Sequence, residues 1–139
     1  MSRSIGIFDS GIGGLSILKS LARKAVNENY IYLADNKNCP YGNKSEIEIS
    51  KLSIKNCEKL IELNCKMIIV ACNTATTNSI NILRKLFDVP IIGIEPGIKP
   101  AINYTKTKNI GVLATNKTLS SKLFNENLLT NNMNKINVH

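Results

Sequence analysis

The 139-residue chain has no tryptophan, and its single histidine, His139, is the last residue. Its four cysteines, at 39, 57, 65 and 72, form no C-x-x-C pair. Without that pair or a companion histidine the usual zinc spacings are missing, and no zinc site is expected. Acidic residues are scarce, 10 against 18 basic, which leaves a formal charge of +8. A basic surface attracts polyanions. The lysines are nevertheless scattered among Asn and Ile, and aromatics that could stack on bases make up only 5% of residues, so no nucleic-acid partner is expected. No apolar run approaches the length of a membrane span, and the N-terminus lacks the basic-then-apolar pattern of a secretory signal. A cytoplasmic protein with reduced thiols, not bound to a membrane, is the expectation.

What is present is enough apolar residue, 43%, to bury a core in one domain-sized chain. The sharpest feature is the stretch I-V-A-C-N-T-A-T-T, Ile69 to Thr77. An apolar run from Met67 to Ala71 ends abruptly in Cys72, Asn73 and Thr74, and a helical pattern follows. Buried strands of parallel sheets read this way, and the crevice beyond their carboxyl ends is where such sheets place their sites. A helix starting near Ala75 makes Asn73 or Thr74 the expected N-cap. Cys72 then faces unpaired backbone N–H groups, an environment that favours a thiolate.

The rest of the chain alternates in the same manner. Ser4 to Phe8 reads as a strand running into D-S-G-I-G-G and a helix from Leu15 to Ala25. The glycines at 11, 13 and 14 do not complete G-x-G-x-x-G, because Ser16 stands at the third position, so they read as a tight turn needing positive φ. Tyr30 to Ala34 is the second strand, followed by a polar loop, Asp35 to Asn43, containing Pro40, Tyr41 and Gly42. That loop is either a packed turn or a rigid presentation of backbone N–H groups and a phenol to a ligand. Ser45 N-caps a helix to about Asn64, on which Cys57 is a core residue; Cys65 is also structural.

After the Cys72 strand comes a helix to Leu86, then a strand from Pro90 to Ile94 ending in Glu95. Further on, a short helix spans Gly97 to Asn103, a fifth strand Asn109 to Ala114, and a last helix Lys117 to Leu129. Lys135 to Val138 is at most the start of another strand. Alternation implies an α/β, doubly wound parallel sheet with right-handed crossovers. On that logic Asp9-Ser10, Pro40-Tyr41-Gly42, Cys72-Asn73-Thr74, Glu95 and Thr115 lie on one rim.

The ordered set D-S-G-I-G-G-L, P-Y-G, A-C-N-T-A, I-G-I-E-P-G and G-V-L-A-T-N-K-T, in register from Ile5 to about Leu129, resembles glutamate racemase. Aspartate racemases share an A-C-N-T-like motif but differ in the first loop. The resemblance implies a cofactor-independent isomerase that interconverts L- and D-glutamate and supplies D-glutamate for peptidoglycan. It implies Cys72 and Asp9 as catalytic residues. It implies substrate contacts from Asp9, Ser10, Tyr41, Gly42, Asn73 and Thr74.

It also implies a two-lobed fold: residues 1–95 as the first lobe, and 96–139 as the truncated start of the second. Racemisation removes a proton from one face of Cα and returns one to the other, so two thiols are needed. The family's second cysteine belongs to a G-C-T-H motif with no counterpart here, so little or no racemisation is expected from this chain alone. The alternative is a non-catalytic lobe that binds an acidic amino acid or a partner. Apolar surface left uncovered also makes the chain a candidate homo-oligomer or a poorly soluble one. Gel filtration tests this, and a monodisperse monomer with a sharp cooperative melt contradicts it.

Overall fold

The computed structural model describes residues 3–131 and 136–139. Its centre is a parallel four-stranded sheet flanked by helices, an α/β arrangement. The strands are β1 (Ser4–Asp9), β2 (Tyr30–Ala34), β3 (Cys65–Val70) and β4 (Ile91–Gly93), in the order β2-β1-β3-β4. All three pairings are parallel, so each connection must cross over the sheet. Three helices make those crossings: α1 (Leu15–Lys24), α2 (Glu46–Glu62) and α3 (Asn73–Leu86).

Alternation along the buried strands sorts the helices between the two faces. Ile5, Ile7 and Ile69 point to the α1 side, where Ile17, Leu18 and Leu21 pack on them. Phe8, Ile68 and Val70 point the other way and join Ile49, Cys57 and Leu60 of α2 and Ala75, Ile80 and Leu83 of α3. The sheet is therefore doubly wound, as its alternating sequence indicates.

Helix α2 has the start that its sequence predicts. The Ser45 side chain accepts from the Glu48 backbone N–H at 3.2 Å, while the Glu48 carboxylate accepts from the Ser45 backbone N–H at 2.9 Å. This reciprocal box satisfies two otherwise orphaned donors. At the other end Asn64 takes up the left-handed conformation (φ 58°) that terminates the helix before β3.

The C-terminal third departs from expectation. The strand expected over Asn109–Ala114 is only β5 (Asn109–Ile110), and it does not extend the central sheet. It pairs in parallel with β6 (Asn137–Val138) as a separate two-stranded sheet. Lys135, expected to begin that last strand, lies outside the described residues. The expected last helix is broken in two, α5 (Asn116–Leu119) and α6 (Lys122–Asn131), because Ser121 starts a new helix by accepting the Phe124 N–H. With α4 (Ile98–Tyr104) these elements enclose a small core of their own, built on Ile98, Ile102, Phe124 and Ile136.

Cys57 is fully buried beneath α2, and burial, with Glu58 adding, pushes its thiol from 9.0 up to about 12. Above about pH 9 the unfolded chain loses this proton while the folded chain keeps it, so the stabilisation present below pH 9 is lost as pH rises toward 12. The thermal midpoint of Cys57→Ala is expected to fall less steeply than wild type between about pH 8.5 and 10, where Cys57 acts ahead of the buried tyrosines. Equal slopes would show that Cys57 does not carry this dependence.

Candidate active site

Strands β1 and β3 lie side by side, but the chain leaves them in opposite directions, β1 toward β2 and β3 toward β4. A crevice opens at such a switch point beyond the carboxyl ends of the strands. Here it is a cleft of about 370 Å³ whose lining includes Asp9, Ser10, Cys72, Asn73 and Thr74, with Thr115 and Thr118 across from them. A larger groove, about 750 Å³, runs between α2, α3 and α6 but contains no cysteine. Of the two, the smaller cleft is the one that brings Cys72 together with polar neighbours.

Asp9 ends β1 and is 8% exposed. Its Oδ1 accepts the Gly11 N–H at 2.7 Å, which turns the chain sharply out of the strand, and a long contact from Ser10 Oγ at 3.5 Å. The Cys72 thiol donates to Ser10 Oγ, also at 3.5 Å. Thiol, hydroxyl and carboxylate are thus linked in series by two long contacts on the cleft lining.

The helix behind Cys72 begins earlier than the sequence suggests. Asn73 is already helical, and the N-cap is Cys72 itself rather than Asn73 or Thr74: its Sγ accepts the Ala75 N–H at 3.5 Å. The sulfur can take the capping role because β3 ends two residues before it, at Val70, and Cys72 keeps extended backbone dihedrals, as an N-cap requires. Asn73 is exposed on the cleft, while Thr74 is buried. The Thr74 hydroxyl lies 2.9 Å from that of Thr115 and 3.2 Å from that of Thr118, and the last two are 3.0 Å apart.

The glycine loop also has a different explanation from the one its sequence suggests. No described glycine has positive φ. What Gly14 requires is room: a Cβ there would stand 2.7 Å from the Ala71 Cβ and 3.0 Å from the Tyr32 hydroxyl. Tyr32 in turn donates to the Gly11 carbonyl at 3.0 Å. Burial and the nearby Asp9 carboxylate push its phenol up to about 12, so it remains a donor at neutral pH.

Four expected rim residues, Pro40, Tyr41, Gly42 and Glu95, do not line the cleft. Glu95 is exposed and accepts from Asn127 of α6 at 2.6 Å. Tyr41 is 1% exposed, with its phenol held by Asp35 and Asn56 behind the loop. Its neighbour Gly42 packs against Thr115, and a Cβ on Gly42 would be 2.7 Å from the Thr115 Cγ2. Thr118 was not singled out by sequence reasoning. Its signal is the T-x-x-T spacing, in which Thr115 caps α5 by accepting the Thr118 N–H at 3.2 Å. Among the described residues, no group of three or more His, Cys, Asp or Glu could hold a metal ion.

A cysteine at the switch point of a parallel α/β sheet, flanked by a carboxylate and hydroxyls, places the chain among α/β proteins that gather polar and thiol side chains at the carboxyl ends of their strands. The Asp/Glu/Hydantoin racemase family model matches residues 5–137, and the chain belongs to that family. It is 49% identical over 124 residues to the glutamate racemase of Clostridium botulinum, covering 88% of this chain and 48% of that protein. Against the glutamate racemase of Ralstonia pickettii the identity is 45% over 120 residues, covering 86% and 43%. The chain thus spans about half the length of the curated relatives it matches.

Solved structures agree. Escherichia coli glutamate racemase, in complex with L-glutamate and the activator UDP-MurNAc-Ala, matches with a TM-score of 0.90 at 35% identity, covering 99% of this chain and 52% of that one. The Francisella tularensis glutamate racemase in complex with D-glutamate matches with a TM-score of 0.79 at 34% identity, covering 99% and 51%. Among the described residues no helix is long and apolar enough to cross a membrane.

The tight approach at Gly14 is testable. Gly14→Ala is expected to destabilise the protein by about 1–3 kcal/mol in urea titration, since Ala71 or the loop must move. Gly111→Ala, where an added Cβ meets nothing within 4 Å, is the control and should change stability little. Equal stability of the two variants would contradict the packing argument.

Proposed function

We propose that this chain carries the amino-terminal half-site of a cofactor-independent glutamate racemase, in which Cys72 exchanges a proton with the α-carbon of glutamate. The observation that carries the reading is the Cys72 sulfur at the N-terminus of α3, linked in series to Ser10 and Asp9 on the cleft lining. Support for glutamate as substrate comes from structural relatives solved with its L- and D-enantiomers. Cys72 as thiolate takes the α-proton: the C–H bond breaks, an S–H bond forms, and the electron pair stays on carbon. Ser10 and Asp9 assist the transfer through the line of contacts. Asn73, Thr74 and loop N–H groups bind the carboxylates and stabilise the charge that develops.

Inversion needs a second acid on the opposite face. Cys57 and Cys65 are buried in the core, and Cys39, though exposed, does not line the cleft. In the two-cysteine reading the partner thiol comes from the part of the racemase fold that this chain does not span. Residues 1–95 act as the first lobe and 96–139 as the beginning of the second. Production of D-glutamate for peptidoglycan in the cytoplasm follows from the same reading. Absence of a second thiol from the cleft lining favours one alternative, a lobe that binds an acidic amino acid without turning it over.

The two are separated by incubating the chain with L-glutamate in deuterium oxide. Uptake of deuterium at Cα without inversion is expected, falling by roughly 100-fold or more in Cys72→Ala, the range for loss of a general base. Calorimetric binding of glutamate with no exchange would favour the binding lobe. Neither binding nor exchange would remove both readings.

A further inference from the structure

The Tyr41 ring belongs to the same core cluster as Phe8 and Ile49, turned away from the cleft that its loop borders. Its hydroxyl has one proton to donate, and Asp35 Oδ2 takes it at 2.6 Å. The Tyr41 hydroxyl oxygen itself accepts the Asn56 Nδ2–H of α2 at 3.0 Å, and Asp35 Oδ1 accepts from Asn38 at 2.8 Å. The phenol is thereby occupied on both sides. Burial and the Asp35 carboxylate push its ionisation well above the usual tyrosine range, so it stays protonated throughout the working pH.

The loop reaches the cleft wall indirectly, through the contact of Gly42 with Thr115, which lines the cleft. Gly42 lies so close to Thr115 that no side chain would fit between them, and Thr115 is the residue whose hydroxyl meets that of Thr74, two positions from Cys72. A continuous set of contacts therefore runs from Asp35 and Asn56, through the Tyr41 phenol and Gly42, to the two threonines on the cleft wall.

We propose that Asp35 and Asn56 are positioning residues for the glutamate site, fixing loop 40–43 through the Tyr41 hydroxyl so that Gly42 sets where Thr115 and Thr74 stand. The proposal rests on the glutamate reading above. It assigns the Tyr41 side chain to the scaffold and makes Gly42, packed on Thr115, the loop's link to the cleft wall.

The test measures glutamate affinity by calorimetry, and Cα exchange at saturating glutamate, for Tyr41→Phe, Asn56→Ala, Asp35→Ala and Asp35→Asn in the full chain. Tyr41→Phe keeps the ring packed and removes only the hydroxyl. Affinity is expected to fall 10-fold or more in Tyr41→Phe, Asn56→Ala and Asp35→Ala, with partial recovery in Asp35→Asn, which still offers an acceptor. Exchange at saturation should change less than 3-fold. Ile80→Val, a core variant away from the loop, loses stability without losing affinity.

Unchanged affinity in Tyr41→Phe and Asn56→Ala, or an equal loss in Ile80→Val, overturns the proposal. Should wild type bind no glutamate, the functional reading fails separately, and amide hydrogen exchange decides the positioning role. Faster exchange at residues 41–44 in Asn56→Ala, with β1 unchanged, then upholds it. Unchanged exchange there overturns it.

Discussion

The parallel pairing of β1 with β3 is the constraint on which the rest of the molecule depends. It brings the end of the first motif and the end of the third to one edge, although 62 positions separate Ser10 from Cys72. Parallel neighbours cannot be joined by a short hairpin, so each strand must leave through a helix, and the two departures diverge. The divergence opens the cleft. Asp9, Ser10 and Cys72 face one another because this geometry gives them nowhere else to go.

Close approach then shapes the cleft more than backbone strain does. Gly14 lets the first loop settle against Ala71, and Gly42 lets the second loop settle against Thr115. Both glycines serve by lacking a Cβ. The loops themselves are held from outside the cleft, the first by the Tyr32 hydroxyl on the Gly11 carbonyl, the second by Tyr41 on Asp35 and Asn56. Protonated phenols, one half-buried and one buried, suit this work, since their donors do not titrate away near neutrality.

The C-terminal elements contribute one wall of the cleft while keeping a core of their own. Three hydroxyls, from Thr74, Thr115 and Thr118, form the seam, reinforced where Asn78 donates to the Thr74 carbonyl at 2.8 Å and to that of Lys117 at 3.4 Å. A seam of hydroxyls can rotate its donors at little cost, since each hydroxyl both donates and accepts.

Much of this was determined by the sequence alone. Alternating apolar runs and helical patterns define a doubly wound parallel sheet because strand and helix bury different periodicities, and the Ser45 capping box is readable letter by letter. The motifs at Asp9-Ser10 and Cys72-Asn73-Thr74 could be assigned to one rim, because parallel strands with right-handed crossovers put their carboxyl ends on one side. Only the tertiary structure decided what long-range packing controls. It made Cys72 rather than Asn73 the helix cap, and it gave Gly14 its role through contact with Ala71. It sent β5 to β6 instead of the central sheet, turned the Tyr41 phenol inward to a carboxylate six residues back, and brought Thr118 to the site. Each of these depends on which surfaces meet across tens of residues, and local periodicity carries no information about that.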